Sequence, residues 1–301
     1  MNRKLRANFL LLTTSFIWGS AFVAQRLGMT YIGPFTFNAV RMLVAGLALT
    51  VVAMLMNLRK KKPVQGQEVE QEEAKGGKAL YIGGLCCGVV LFFASSFQQA
   101  GLMFTTAGKA GFITTLYIII VPLLGLFLKR KISKRVWFCV LLALIGLYFV
   151  SFIEEMQMNL GDILMLFCAL GYAVHILVVD RFTQKTDAVR LSQIQFFVSA
   201  FLSFIVMFVF ESPDIMSILI SWAPILYVGV LSGALAFTLQ IIAQKDTDPS
   251  IAALLMSFEA VFAALSGFVI LNEVLTAREL LGCAMMFAAI LIVQFPEKRK
   301  L

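Results

Sequence analysis

Long apolar blocks alternate with short polar joints along most of the chain. A helix needs about 20 apolar residues to cross a bilayer core of roughly 30 Å. Backbone groups cannot go unsatisfied in lipid, so blocks of this length form helices. The strict alternation of a membrane barrel is absent. The pattern predicts ten spans, at 8–25, 34–56, 79–99, 106–128, 136–153, 162–180, 190–210, 222–244, 250–271 and 279–295. The joints are short except for 57–78, "NLRKKKPVQGQEVEQEEAKGGK", which is polar and charged and reads as a mobile loop. No separate soluble domain is predicted.

Composition agrees: 60% of the residues are hydrophobic and mean hydropathy is +0.90. Charge adds orientation, because cytoplasmic joints carry an excess of Lys and Arg. With the N-terminus inside, 21 of the 25 Lys and Arg residues fall in inside segments. Arg26 and Arg278 are then outside, and Arg41 and Lys109 lie within spans. Both termini are therefore expected in the cytoplasm. The net charge of +8 is explained by topology and by anionic lipid, without nucleic acid. The first span follows a basic stretch but is too long for a signal peptide. The five cysteines, Cys86, Cys87, Cys139, Cys168 and Cys283, all fall within spans and form no disulfide or zinc spacing, so packing is their expected role.

Ten spans divide into two fives. A shift of 154 residues lays Trp18 on Tyr172, Gln25 on Val179 and Arg41 on Gln195. A shift of 143 lays Ala100 on Ala243, Lys109 on Ala252 and Arg135 on Arg278. Five is odd, so the second half enters from the opposite side. The expected fold is all-α: ten transmembrane helices as two inverted five-helix repeats, 1–153 and 154–301. Secondary transporters of this build hold their solute near the midplane between the halves.

Four stretches carry a family resemblance: "SFIWGSAFVAQRLG", "PFTFNAVRML", "TTAGKAGFIT" and "SFEAVFAALSGFVILNEVLTARELLGCAMMFAAILIV". With them the chain resembles the drug/metabolite transporter superfamily, of the EamA type, over nearly its whole length. The family's Glu-Pro-Val reads Glu259-Ala260-Val261 here, and its Gly-Glu pairs read Asn272-Glu273 and Lys129-Arg130. Pro122 lies five residues later than the repeat alignment would place it, which moves the expected bend. The resemblance implies that spans 1, 3, 4, 6, 8 and 9 line a cavity.

Helical spacing puts Trp18 and Gln25 on one stripe of span 1, and Tyr172 and His175 on the equivalent stripe of span 6. Phe237 and Gln240 share a face of span 8, Phe97 and Gln98 answer from span 3, and Tyr117 lies in span 4. Each of these is a candidate for binding a small amphipathic solute, and each has ordinary helix packing as its alternative. Glu259 is the most informative: an intramembrane carboxyl is costly and marks a functional site or a structural hydrogen bond. Arg41 either holds a solute carboxylate by a bidentate contact or snorkels to headgroups. His175, the only histidine, either relays protons or packs with a hydrogen bond. Lys109 either snorkels outward or meets an anionic solute in a vestibule, where Gly108, Ala110 and Gly111 leave room. The small-residue patterns "GLCCG" (84–88) and "GVLSG" (229–233) are assigned to close helix approach.

The expected function is secondary-active, alternating-access transport of small organic metabolites across the bacterial cytoplasmic membrane. The first reading is an exporter of amino acids or related metabolites, with proton coupling through Glu259. The alternative is uptake of a vitamin, nucleobase or similar nutrient, and a non-transport membrane protein is the third class. An intramembrane enzyme finds no support: there is no His-Glu-x-x-His, no Gly-x-Ser-x-Gly and no phosphate-binding Gly-x-x-x-x-Gly-Lys. No catalytic residue, cofactor or metal is expected. The expected partners are a small-molecule solute and the lipid bilayer, with the chain acting as a monomer or homodimer.

Overall fold

The computed structural model describes residues 3–59, 69–105, 107–150, 159–271 and 276–294. Among these residues every regular element is helical. Among the described residues eight helical stretches are long and apolar enough to cross a membrane: Arg3–Gly28, Pro34–Leu58, Gly77–Leu102, Gly108–Phe127, Leu160–Thr183, Ala188–Phe210, Trp222–Ala243 and Pro249–Ser266. The elements begin with α1 (Arg3–Gly28), α2 (Pro34–Arg59) and α3 (Val69–Leu102). Next come α4 (Ala107–Thr115), α5 (Tyr117–Phe127), α6 (Lys134–Val150), α7 (Leu160–Thr183) and α8 (Ala188–Phe210). The short α9 (Ile215–Ile220) and α10 (Trp222–Leu226) lead into a π-helical stretch, Tyr227–Ala236. The chain continues through α11 (Phe237–Ala243), α12 (Pro249–Met256), α13 (Glu259–Leu271) and α14 (Ala277–Gln294).

Local chemistry sets several boundaries. Asn159 caps α7 in a reciprocal capping box with Asp162, which satisfies two backbone donors that the helix cannot. Asp187 accepts from Arg190 N–H to start α8, and Asp248 followed by Pro249 starts α12. Just beyond α5, Lys129 adopts φ 58°, and Arg130 N–H bonds back to Gly125 O at 2.9 Å. A left-handed residue at this place releases the chain from the helix, and glycine fills it without strain. This is the position at which the resembled pattern has glycine.

The structure corrects the reading of 57–78 as one mobile loop. α2 runs on to Arg59 and α3 starts at Val69, while 60–68 lie outside the described residues. The sequence of 69–78, "VEQEEAKGGK", is rich in Glu, Gln, Lys and Ala, whose helix propensity carries α3 into the polar segment. The 34 residues of α3 span about 51 Å at 1.5 Å per residue, more than a bilayer core needs. The expected spans 4 and 9 are each broken, at Leu116 and at Ser257–Phe258. The boundary between the expected halves, at 153/154, and the Asn272-Glu273 pair lie outside the described residues.

Contacts along the helices fix their directions. Asp162 and Asp180, at the two ends of α7, pair with Lys109 at the start of α4 and Arg130 just beyond α5. α4–α5 therefore runs parallel to α7. Glu211, at the end of α8, caps the start of α2 through Phe35 N–H and Thr36 N–H, both at 2.8 Å, so α2 and α8 are antiparallel. The end of the bundle that holds Glu211, Lys109 and Asp162 is called the upper end below. Small residues permit the close crossings. A Cβ on Gly88 would lie 2.6 Å from Val198 Cβ of α8, and one on Gly229 would lie 2.8 Å from Val44 of α2. Gly146 of α6 and Gly282 of α14 face each other in the same way. Many large apolar side chains on the outer faces stay exposed, including Phe16, Phe93, Phe201 and Phe208. That distribution suits a surrounding of hydrocarbon rather than water.

Candidate solute cavity

A cavity lies at mid-depth between the elements, where residues from the middle of several helices converge. α1 supplies Trp18, Phe22 and Gln25, and α2 supplies Arg41 and Met42. Tyr172, His175 and Ile176 project from α7, with Gln98 of α3 and Phe196 of α8 nearby. The π-helical stretch and α11 contribute Val228, Ser232, Gly233, Phe237 and Gln240. The two broken helices meet the cavity at their breaks, with Thr114 and Tyr117 on one side and Glu259 on the other.

Aromatic rings and amides make up most of the wall. Phe237 is the hub of the aromatic part, with ring centroids 4.7 Å from Trp18, 5.5 Å from Phe196 and 5.7 Å from His175. Trp18 Nε1–H donates to Ser232 O at 3.1 Å. That bond fixes the indole against the π-helical stretch, an irregularity that recurs at functional sites. Tyr172 donates its hydroxyl to Gln98 Oε1 at 3.1 Å.

The polar groups of the lower half are tied to one another. Gln240 Nε2 donates to Gln244 Oε1 at 2.9 Å, and Gln244 Nε2 donates to Ile176 O at 3.0 Å. A carbonyl can only accept, so this chain orients both amides and leaves Gln240 Oε1 without a partner. His175 shares a hydrogen with Gln195 Oε1 at 3.0 Å and is fully buried.

Two ionisable groups, one carboxyl and one guanidinium, border the cavity. Glu259 is the first residue of α13, just past the break. Its Oε1 lies 3.3 Å from Thr115 Oγ1, and the buried Tyr117 hydroxyl faces it. Arg41 on α2 is 6% exposed. Its Nε and Nη2 donate to Asn38 Oδ1 at 3.1 and 2.9 Å, and Nη1 reaches Gln25 Oε1 at 3.4 Å. It sits 5.8 Å from the Phe37 ring centroid.

Nine of the eleven expected site residues thus converge: Trp18, Arg41, Gln98, Tyr117, Tyr172, His175, Phe237, Gln240 and Glu259. Two do not. Phe97 turns to Phe167, with centroids 5.5 Å apart, because its face of α3 meets α7 outside the cavity. Lys109 pairs with Asp162 Oδ2 at 2.5 Å at the upper end, since the parallel course of α4 and α7 brings their first turns together. The lysine is neither snorkelling alone nor part of the cavity wall. Residues not picked out for the site include Asn38, Gln99, Ser95 and Ser203, buried polar groups behind Arg41. Asn38 shares a helix face with Arg41 at i, i+3, and this spacing was the available signal.

The chain is similar in sequence and in fold to known proteins. The EamA-like transporter family matches residues 5–152 and 159–295. An uncharacterized transporter of Archaeoglobus fulgidus is 30% identical over 298 residues, covering 97% of this chain and 86% of its own length. The uncharacterized transporter YoaV of Bacillus subtilis is 21% identical over 296 residues, covering 96% and 97%. A solved crystal structure shares the fold with a TM-score of 0.75 at 17% identity, covering 96% of each chain. The family match over nearly the whole chain, the named relatives and the apolar helices give one conclusion: the chain belongs to the EamA-like transporter family and is a multi-pass membrane transporter.

Proposed function

We propose that the protein is a secondary-active, alternating-access carrier that exports amino acids or related small metabolites from the cytoplasm, with proton coupling through Glu259. The observation that carries this reading is the cavity: set at mid-depth, lined by aromatic rings and amides, and flanked by one guanidinium and one carboxyl. Rings accept an apolar side chain, while amides and the two ionisable groups suit a polar head.

The coupling proposal rests on Glu259. Thr115 has a single hydroxyl hydrogen and two neighbours, Gly111 O at 2.7 Å and Glu259 Oε1 at 3.3 Å. When that hydrogen is spent on Gly111, the Thr115–Glu259 contact requires a proton on the carboxyl. Loading and unloading that proton would change the polar groups presented to the solute. Ten spans arranged as two inverted five-helix repeats, 1–153 and 154–301, with cytoplasmic termini complete the proposal. The paired helix breaks support it, because the shift of 143 lays Leu116 on Glu259, the residue next to the Ser257–Phe258 break. One chain would then hold a full pathway, as monomer or homodimer, with lipid as its surrounding and no cofactor.

The test is flux in liposomes loaded with single amino acids, with an imposed pH gradient. The expected outcome is saturable flux that follows the gradient in the wild type. Glu259→Gln should keep its elution profile and lose the pH dependence. PH-dependent flux equal to wild type in that variant removes Glu259 from coupling. Uptake of vitamins or nucleobases with no amino-acid flux would favour the nutrient-carrier alternative.

A further inference from the structure

Arg41 is a buried cation whose charge is answered by neutral groups alone. Among the described residues no carboxylate lies within ion-pair distance of it. Its partners are the amide oxygens of Asn38 and Gln25 and the neutral hydroxyl of Tyr172. A buried charge without a counter-charge is strongly disfavoured, and removing it from water is repaid only when an opposite charge arrives.

The orientation of that guanidinium is fixed from behind. Ser95 spends its hydroxyl hydrogen on Phe92 O at 3.3 Å, so towards Asn38 it can only accept. Asn38 Nδ2 donates to Ser95 Oγ at 3.2 Å and to Ser203 Oγ at 3.0 Å. Its amide is therefore held with the nitrogen towards α3 and α8 and the oxygen towards Arg41. That single oxygen takes both Nε and Nη2 of Arg41. On the other side Gln99 Nε2 donates to Gln25 Oε1, which also turns that oxygen to the guanidinium. With the Nε–Nη2 edge occupied, the remaining Nη hydrogens border the cavity that Arg41 lines, where the neutral Tyr172 hydroxyl meets the guanidinium.

We propose that this edge is the docking point for a carboxylate of the transported solute, and that Asn38 is the positioning residue that aims it. The inference rests on the transport reading above and narrows the solute class to those bearing a carboxylate. Two parallel N–H···O bonds from a guanidinium to a carboxylate combine charge with fixed geometry. A carboxamide of the same shape brings no charge and places an N–H donor against a donor edge. A site organised in this way discriminates strongly against the mismatched analogue.

The experiment uses the full chain, purified in detergent and reconstituted in liposomes. The probes are L-leucine, L-phenylalanine, L-glutamine and L-threonine, each paired with its amide. At least one acid is expected to bind or move at least tenfold better than its amide. Asn38→Asp places a counter-charge on Arg41 from within the protein. It should weaken the preferred acid at least tenfold and bring the acid-to-amide ratio close to one. Gln25→Glu supplies the same charge from α1, so the test survives if one variant does not fold. A merely structural Asn38 would alter stability and leave the acid-to-amide ratio unchanged, and that result overturns the proposal. Equal handling of acids and amides by the wild type overturns it alone and leaves transport of amino-acid-like solutes standing. Failure of every acid and every amide, with flux of other metabolites, overturns both.

Discussion

The ion pair at the upper end allows a quantitative test of how the halves of the cavity wall are joined. Lys109 and Asp162 tie α4 to α7, and their side chains are 15% and 2% exposed. Asp162 is richly solvated by protein. Oδ2 accepts from Lys109 Nζ at 2.5 Å and from Asn159 N–H at 3.0 Å, and Oδ1 accepts from Thr105 Oγ1 at 3.1 Å. A hydrogen bond to a charged group contributes about 1.5–3 kcal/mol net. Lys109→Gln removes one such bond but leaves Asp162 with two donors and the N-terminal dipole of α7, so a loss of about 1.5 kcal/mol is expected. Asp162→Asn removes the charge that three donors converge on and weakens the cap, and about 3 kcal/mol is expected, the lower edge of the range for breaking a buried pair. The coupling from a double-mutant cycle should be about 2 kcal/mol, or roughly 30-fold in the unfolding equilibrium. Equilibrium unfolding in mixed micelles of mild detergent and dodecyl sulfate, followed by tryptophan fluorescence, measures all four corners. A coupling below about 0.5 kcal/mol, the regime of solvent-screened pairs, would refute the reasoning. So would a larger loss for Lys109→Gln than for Asp162→Asn.

Two further outcomes follow from local geometry. Lys129 holds a left-handed conformation at φ 58°, so Lys129→Gly should raise stability by about 0.5–1 kcal/mol, read as a higher midpoint in the same unfolding assay. A Cβ on Gly282 would lie 2.5 Å from Gly146 O and 2.7 Å from Val150 N, both backbone atoms that cannot turn aside. Gly282→Ala should therefore force α6 and α14 apart and cost about 1–3 kcal/mol, with flux measured in parallel to show whether the cavity is disturbed.

Glu259 and Arg41 were legible as candidates because a charge in an apolar block is costly wherever it sits. The aromatic and amide stripes of α1, α7 and α11 were legible because helical spacing groups residues by face. The same logic misplaced Phe97, since a stripe says which residues share a face and not which neighbour the face meets. It also left Lys109 open, because its partner Asp162 lies 53 residues away and belongs to another helix.

Hydropathy period alone determined that this chain is helical and crosses a membrane many times, because unsatisfied backbone in lipid leaves no other solution. Helix propensity, caps and the αL turn at Lys129 are local, and they set where elements begin and end. Tertiary structure decided the rest. It broke the helices at Leu116 and Ser257–Phe258, wound Tyr227–Ala236 into a π-helix, and formed a cavity beside Phe237. Above all it surrounded Arg41 with amide oxygens and no carboxylate among the described residues. Whether a buried charge is answered depends on which helices pack beside it, and that is a property of the assembled bundle rather than of any segment.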